Sequence, residues 1–555
     1  MPEQTFAKID KIIRQHWGEL RKPGVLAVRP GYKFTGGWIT DKPAVVVTVD
    51  KKRDVGPRER LPEKVGGIAV DVREATPFDR VRHTDPATHA ALAAGRPEWA
   101  PPPFPFERTM RVAVKPAAKA AAKLGAKAAA KTAAKAATTS AKPTPPLSAA
   151  PRPAGLKAKP SIPYTPPPGA SLAPVTDMMT ITCHASPDAG WPTLSAFLAG
   201  THSRLTVGIY DFTSAHILKK LEQSLQPANR TLELVLDHPA LDRTADQSDE
   251  QTRQNLEGTL HAKAKIAWAL TDRDTLVTRW IYPSAYHIKV AVRDGAVFWL
   301  SSGNWNNSNQ PDIDPVKNPA ASLPVVKNSD RDWHVIVEHT QLARTFEAFL
   351  KHDFDVAAQW QAPAGHGAQA PIKAAAQAAA KLAVPAVPKQ YFAPLIIANQ
   401  QITIEPLLTP DNYADKVLAL IESATKTLYM QLQYIYAPKV NDKFQALVGA
   451  VKAKMDAGLD VRIIMSQYEV QGGALEQLKA LGFDMAQIRI QQNVHNKGIV
   501  VDSKVVAVGS HNWSDQGTQT NRDATLIIHH AGAAQYFEKI FMHDWTTMAK
   551  QKVGL

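Results

Sequence analysis

His287-Ile-Lys289-Val-Ala-Val-Arg-Asp294 and, 208 residues further on, His495-Asn-Lys497-Gly-Ile-Val-Val-Asp502 are one pattern written twice: His-x-Lys, four residues, Asp. A small-residue turn and Asn-Trp follow each copy. The first turn is Ser301-Ser302-Gly303-Asn304-Trp305 and the second is Gly509-Ser510-His511-Asn512-Trp513. A third element trails both, Asp330-Arg331-Asp332 in the first half and Asn521-Arg522-Asp523 in the second. A lone His-x-Lys arises by chance in most chains of this size. Three elements in the same order, twice, do not.

Along a strand alternate residues share a face, so each His and Lys would stand side by side at a surface. The apolar residues behind them, Val290 to Val292 and Ile499 to Val501, suit a strand running into a packed interior. The Asn on the following turn can point back to the same place. Two copies folded face to face would gather two His, two Lys and two Asn around one centre. Donors and cations without an acceptor among them suit an oxyanion such as phosphate. The imidazoles are the groups able to act as nucleophile or proton carrier near neutral pH, and two of them allow a two-step reaction. Lysines and asparagines would hold the non-bridging oxygens. No metal or other cofactor is needed for that scheme, and the motif neighbourhoods lack the carboxylate cluster of a two-metal site.

These residues resemble the signature of the phospholipase D superfamily, His-x-Lys-x4-Asp followed by Gly-Ser-x-Asn. The second copy fits in full. The first has Ser301 where the signature has Gly, and Gly303 where the second copy has His511, but Ser302 and Asn304 keep their places. The resemblance implies an α/β fold of two duplicated domains facing each other across one active site. It implies a metal-independent phosphodiesterase working through a phosphohistidine. His287, Lys289, Asn304, His495, Lys497 and Asn512 would be catalytic, with His287 as nucleophile and His495 as general acid. Asp332 and Asp523 would orient the histidines, Asp294 and Asp502 would be structural, and Ser302 and Ser510 would support the turns. For Trp305 and Trp513 burial is expected, and for Arg331 and Arg522 a brace on a carboxylate.

Composition divides the chain of 555 residues. Residues 1–100 suggest a small α+β domain of unknown role, with Phe6, Ile9, Ile12, Ile13 and Trp17 at helical spacing and strand-like runs at Val25 to Val28, Ala44 to Val49 and Ile68 to Val72. Residues 101–175 form a Pro/Ala/Lys-rich linker expected to be disordered, and 361–390 a shorter Ala-rich one. The duplicated domains are 176–360 and 391–555. Outside the motifs, Ser186-Pro187-Asp188 matches Thr409-Pro410-Asp411, Leu205 to Phe212 matches Leu428 to Ile435, and Leu232 to Leu236 matches Val461 to Met465. Asn306 to Asn328 is an insertion of the first half only, a candidate lid or an ordinary surface loop.

The formal charge of +14 belongs to the linker. Residues 108–175 carry twelve Lys or Arg and no Asp or Glu, leaving about +2 for everything else. Lys115, Lys119, Lys123, Lys127, Lys131 and Lys135 recur every fourth residue, a stripe whose self-repulsion a polyanion or an anionic membrane surface would relieve. One cysteine, Cys183, permits no intrachain disulfide. Neither a signal-peptide pattern nor a membrane-spanning stretch is visible, so a cytoplasmic protein is expected, with peripheral membrane contact or non-classical export possible. Both motifs in one chain favour a monomer. Three functions compete. Phospholipid head-group hydrolysis or transfer is preferred, because the fused double motif is common among the family's lipid enzymes. A nuclease is favoured by the lysine tract and disfavoured by near-neutral domains. An inactive anion-binding scaffold fits poorly with two intact His-Lys-Asn sets.

Overall fold

The fold comes from a computed structural model that describes residues 3–35, 38–52, 55–56, 59–75, 80, 83, 108–109, 163–237, 246–269, 282, 284–359, 388, 390–438, 443–467 and 474–550. The lysine stripe and most of the two expected linkers lie outside the described residues.

Among the described residues one mixed sheet of fourteen strands runs through the molecule. From its centre outward the first half contributes Val175–Ser186, Asp332–Glu338, Val297–Ser301, Lys289–Arg293, Arg204–Ile209, Thr231–Leu236 and Ala264–Trp268. The second half contributes Leu395–Leu408, Ala524–His529, Val505–Gly509, Lys497–Val501, Thr427–Leu432, Asp460–Ser466 and Ile488–Gln491 in the same spatial order. Pairing is antiparallel through the inner strands of each half and parallel for the outer two steps, identically in both. Val175–Ser186 and Leu395–Leu408 join the halves antiparallel, which relates them by an approximate two-fold axis. The two α/β units expected from the duplication are therefore continuous through their sheets.

The motif strands are apolar on both faces because helices cover the sheet on both sides. Val290, Ala291, Val292, Ile499, Val500 and Val501 are all buried. Each half ends in a long helix, Thr340–Gln359 and Ala531–His543, laid against its own strands through Phe346, Phe349 and Leu350 or Phe537, Ile540 and Phe541.

The N-terminal unit packs Ile9 and Ile13 of the helix Glu3–Gln15 onto a five-stranded sheet. Its boundary differs from that expected at residue 100. Arg108–Thr109 pairs with Ala27 and Val28, and the Arg108 guanidinium reaches Asp10 at 2.6 Å. The unit docks on the second half, where Glu476 accepts Arg29 at 2.5 Å and Arg73 at 3.0 Å and Tyr32 and Ile39 join that half's core. The linker boundary at 175 also moves. The Tyr164 hydroxyl already reaches Asp411 at 2.9 Å, and Val175 begins the central strand. Pro-rich composition hid this, because a few anchoring contacts suffice to order an extended segment.

Candidate active site

Each His-x-Lys sits where its strand begins. Strand pairing starts at Lys289 and Lys497, two residues after the histidines. In front of each histidine, backbone from the opposite half is tied on. Arg522 N–H donates to Ala285 O at 2.8 Å, Arg331 N–H to Asn493 O at 2.9 Å, and His495 N–H to Arg331 O at 3.1 Å. Each Arg-Asp element is thereby brought against the other half's histidine.

The consequence is a crossed arrangement that neither motif copy announces alone. His287 Nδ1 lies 2.7 Å from Asp523 Oδ1, and His495 Nδ1 lies 3.1 Å from Asp332 Oδ1. Both carboxylates are fully buried. Ser302 Oγ donates to Asp332 at 2.7 Å and accepts Trp333 N–H at 3.0 Å. Ser510 Oγ donates to Asp523 at 2.6 Å and accepts Ala524 N–H at 3.1 Å. The serine of each turn thus fixes the carboxylate that holds the opposite half's imidazole.

Lys289 and Lys497 are buried between the copies. Each Nζ donates to the carbonyl of its own histidine, and Lys497 also lies 3.1 Å and 3.2 Å from the ring nitrogens of His495. Burial, with Lys497 adding repulsion, holds the Lys289 ammonium well below the usual lysine range, against the pull of Asp523. Burial first and Lys497 next bring His495 down to about 4, against Asp332. Burial would raise Asp332, but His495 and Lys497 outweigh it and leave it at about 2. Asp523 is raised by burial. The amide oxygens of Asn304 and Asn512 are buried without a hydrogen-bond partner among the described residues. Lys289 and Lys497 can donate from Nζ, and Asn304 and Asn512 from Nδ2, to an oxyanion such as phosphate.

Asp294 and Asp502 stand at the far ends of the motif strands, in left-handed turns with φ of 57° and 51°. Asp294 accepts the N–H groups of His202, Ser203 and Arg204 and the Ser203 hydroxyl. Asp502 accepts those of Thr425, Lys426 and Thr427 and the Thr425 hydroxyl. They tie a turn to the neighbouring strand and touch neither histidine. Arg331 binds Asp188 at 3.0 Å and Asp544 at 2.8 Å; Arg522 binds Asp411 at 3.1 Å and Asp353 at 2.9 Å. Trp305 and Trp513 are buried behind the turns.

The first copy's departure from the signature has a packing reason. Ser301 pairs across the sheet with His334, whereas Gly509 pairs with Thr525. In the first half the imidazole under the turn comes from His334, bonded to Ser301 Oγ at 2.7 Å. In the second it comes from His511, bonded to Thr525 Oγ1 at 2.8 Å. A Cβ on Gly303 would stand 2.7 Å from the Asp332 carboxyl, and one on Gly509 would stand 1.9 Å from Thr525 Oγ1. The two residues have exchanged sides, and the turn is kept.

Sequence reasoning missed Asn309. It lies in the insertion, yet its amide donates to Asp332 at 2.9 Å and to Asp330 at 3.0 Å while its oxygen accepts Asn304 N–H at 3.0 Å. The start of the insertion is therefore packed into the site and cannot swing as a lid, although its later part, with the helix Pro319–Val326, lies at the surface. Only its place four residues beyond the Asn-Trp pair could have drawn notice.

Comparison with known proteins finds similarity to one family model, to curated relatives and to solved structures. Residues 417–545 match the family model described as cardiolipin synthase, PLD-like domain. The mitochondrial cardiolipin hydrolase of Xenopus tropicalis is 28% identical over 142 residues, 25% of this chain and 64% of that one. The Mus musculus protein of the same name is 29% identical over 98 residues, 17% of this chain and 44% of that one. The match thus spans less than two thirds of these relatives' own length. Among solved structures, the phosphatidylserine synthase of Haemophilus influenzae covers 68% of this chain and 90% of its own, at 12% identity and a TM-score of 0.46. Nuc of Salmonella typhimurium, a phospholipase D family member, covers 27% and 97%, at 23% identity and a TM-score of 0.22. Residues 417–545 thus resemble a phospholipase D-like domain. Among the described residues no helix is long and apolar enough to cross a membrane.

Proposed function

We propose that the chain is a metal-independent phosphodiesterase acting through a phosphohistidine, with phospholipid head groups as the preferred target of hydrolysis or transfer. The crossed His–Asp pairs carry this reading. An Nδ1 engaged by a buried carboxylate leaves the other ring nitrogen to attack or to carry the proton. His287 forms the N–P bond while the P–O bond to the leaving group breaks and that oxygen takes a proton from His495. Water or an alcohol then gives its proton to His495 and attacks phosphorus, and the N–P bond breaks. Lys289, Lys497, Asn304 and Asn512 hold the non-bridging oxygens.

One observation favours the reverse assignment of the histidines. With its proton affinity held down at about 4, His495 is neutral at pH 7 in the empty site, which suits a nucleophile. Trapping separates the two. With His495→Ala and a nitrophenyl phosphodiester, the adduct is expected on His287. An adduct on His495 in the His287→Ala variant would exchange the roles.

Lipid is preferred over nucleic acid because the folded part is nearly neutral while the positive charge sits in the linker. The names of the relatives in both cardiolipin comparisons support the same preference. A paired assay in excess chelator, offering vesicles of labelled phosphatidylcholine and cardiolipin beside plasmid DNA, tests it. Head-group release with intact plasmid is expected. Nicked plasmid with intact lipid would favour a nuclease, and loss of turnover restored by a divalent ion would end the metal-free scheme. The lysine tract is proposed as a tether to a polyanion or anionic surface. Deleting residues 111–142, which removes eight positive charges, should weaken vesicle binding and flatten its salt dependence without altering turnover of a small soluble phosphodiester.

A further inference from the structure

The two halves are matched residue for residue at the histidine, lysine, serine, asparagine and orienting aspartate, and differ beside that aspartate. Two residues before it the second half has the neutral Asn521, which hydrogen-bonds Asp523. The first half has a second carboxyl group, Asp330, and lacks an amide from its own strand. The amide comes instead from Asn309, on the insertion that the second half does not have.

Asn309 is fully used. One N–H goes to Asp330 Oδ2 at 3.0 Å, the other to Asp332 Oδ2 at 2.9 Å, and its oxygen takes Asn304 N–H at 3.0 Å. Flipping the amide would set donors against a donor, so its orientation is fixed. Its own N–H is held by Asn306 Oδ1 at 2.9 Å, and Asp330 N–H by Ser308 O at 2.7 Å. One side chain thus ties together the catalytic turn, the carboxylate that holds His495, and a further carboxyl group.

We propose that Asn309 and Asp330 are positioning residues for His495, Asn309 by clamping Asp332 to the Asn304 turn and Asp330 by placing a second ionisable carboxyl group behind Asp332. The inference rests on the phosphodiesterase reading and makes the two imidazoles unequal by construction. The groups facing Asp330 are Asp332 from its own segment, Ser308 and Asn309 from the insertion, and Lys497 from the second half. Burial and the Asp332 charge raise Asp330 to about 7, opposed by Ser308 and Lys497. Below that pH the two carboxyl groups share one negative charge, and above it they carry two. The added charge favours the imidazolium form of His495, the form a general acid needs.

Asp330→Asn copies the second half's Asn521 at nearly the same volume, which makes it the natural test in the full-length chain. Two readouts are taken from pH 5 to 9 on the wild type and the variant. One is turnover of a short-chain phosphatidylcholine, whose alkoxide leaving group needs a proton from the general acid, and the other is the carbon-13 shift of His495, assigned by its loss in His495→Gln. The wild-type His495 signal is expected to show an inflection near pH 7. In the variant that inflection is absent, and kcat coincides with wild type below about pH 6 but falls about tenfold behind above about pH 8, the equivalent of one pKa unit at His495. Asn309→Ala should lower kcat on the order of tenfold with KM within about twofold, as displacement of a reacting group does. Wild-type and Asp330→Asn curves that superimpose in both readouts would overturn the inference. A wild type that shows the inflection but cleaves no phosphodiester would instead sink the functional reading and leave the Asp330–His495 coupling in place.

Discussion

The aspartates divide into two kinds that the motif alone does not separate. Asp332 and Asp523 hold imidazoles across the boundary between halves, whereas Asp294 and Asp502 hold backbone at the opposite strand ends. Substitution should separate them. Asp523→Asn is expected to lower kcat by about 10²-fold or more with little change in thermal stability, because it leaves His287 without its orienting charge. Asp502→Ala is expected to do the opposite: kcat of the folded protein persists, while stability falls by about 1–3 kcal/mol from the N–H groups it abandons. Equal losses of kcat in both variants would show that this division is wrong. The Thr425 hydroxyl and three backbone N–H groups hold the Asp502 carboxyl at about 2, overcoming its burial. A folded-state pKa below the unfolded one stabilises only while the group is ionised. The stability gap between wild type and Asp502→Ala should therefore be full above about pH 4 and close as the pH falls toward 2. Urea unfolding across that range measures it.

At the scale of elements, what was legible followed from period and order. Val-Ala-Val and Ile-Val-Val runs marked buried strands, and the shared order of motif, turn and carboxylate marked a duplicated unit. The strand ends were less legible, because pairing begins at the lysine and leaves each histidine just ahead of it. The first turn's departure from the signature at Ser301 and Gly303 is a change of strand for one imidazole, from His511 to His334. One sequence cannot display that exchange, since it exists only across a sheet register. Its cost can be measured. Gly509→Ser, which copies Ser301 without moving the imidazole, should destabilise by about 1–3 kcal/mol from overpacking against Thr525. Adding Thr525→Ala should recover part of that loss. A Gly509→Ser protein as stable as wild type would show that the backbone there yields freely. The role of Asn309 was equally hidden, because an insertion shows its length in sequence but not what its first residues touch.

At the scale of the whole molecule, the approximate two-fold axis makes each half supply what the other lacks. Arg331 reaches from the first half to Asp544 on the last helix of the second, and Arg522 reaches from the second to Asp353 on the long helix of the first. All four side chains are buried. Replacing one such guanidinium with an apolar side chain strands a buried carboxylate, a loss of about 3–5 kcal/mol. Arg522→Met is therefore expected to lower the thermal midpoint markedly, and to lower activity as well, since Arg522 N–H and Asp523 are set by the same contact between halves. The central claim is that the two motif copies form one covalent catalytic site. Rapid-quench mass spectrometry of full-length protein mixed with a nitrophenyl phosphodiester in excess chelator tests it most directly. A phosphoryl adduct is expected on one motif histidine, His287 as assigned, that accumulates in His495→Ala and is absent when both histidines are replaced. Turnover of the same substrate by wild type with no adduct on either histidine, in wild type or in either single variant, would contradict it.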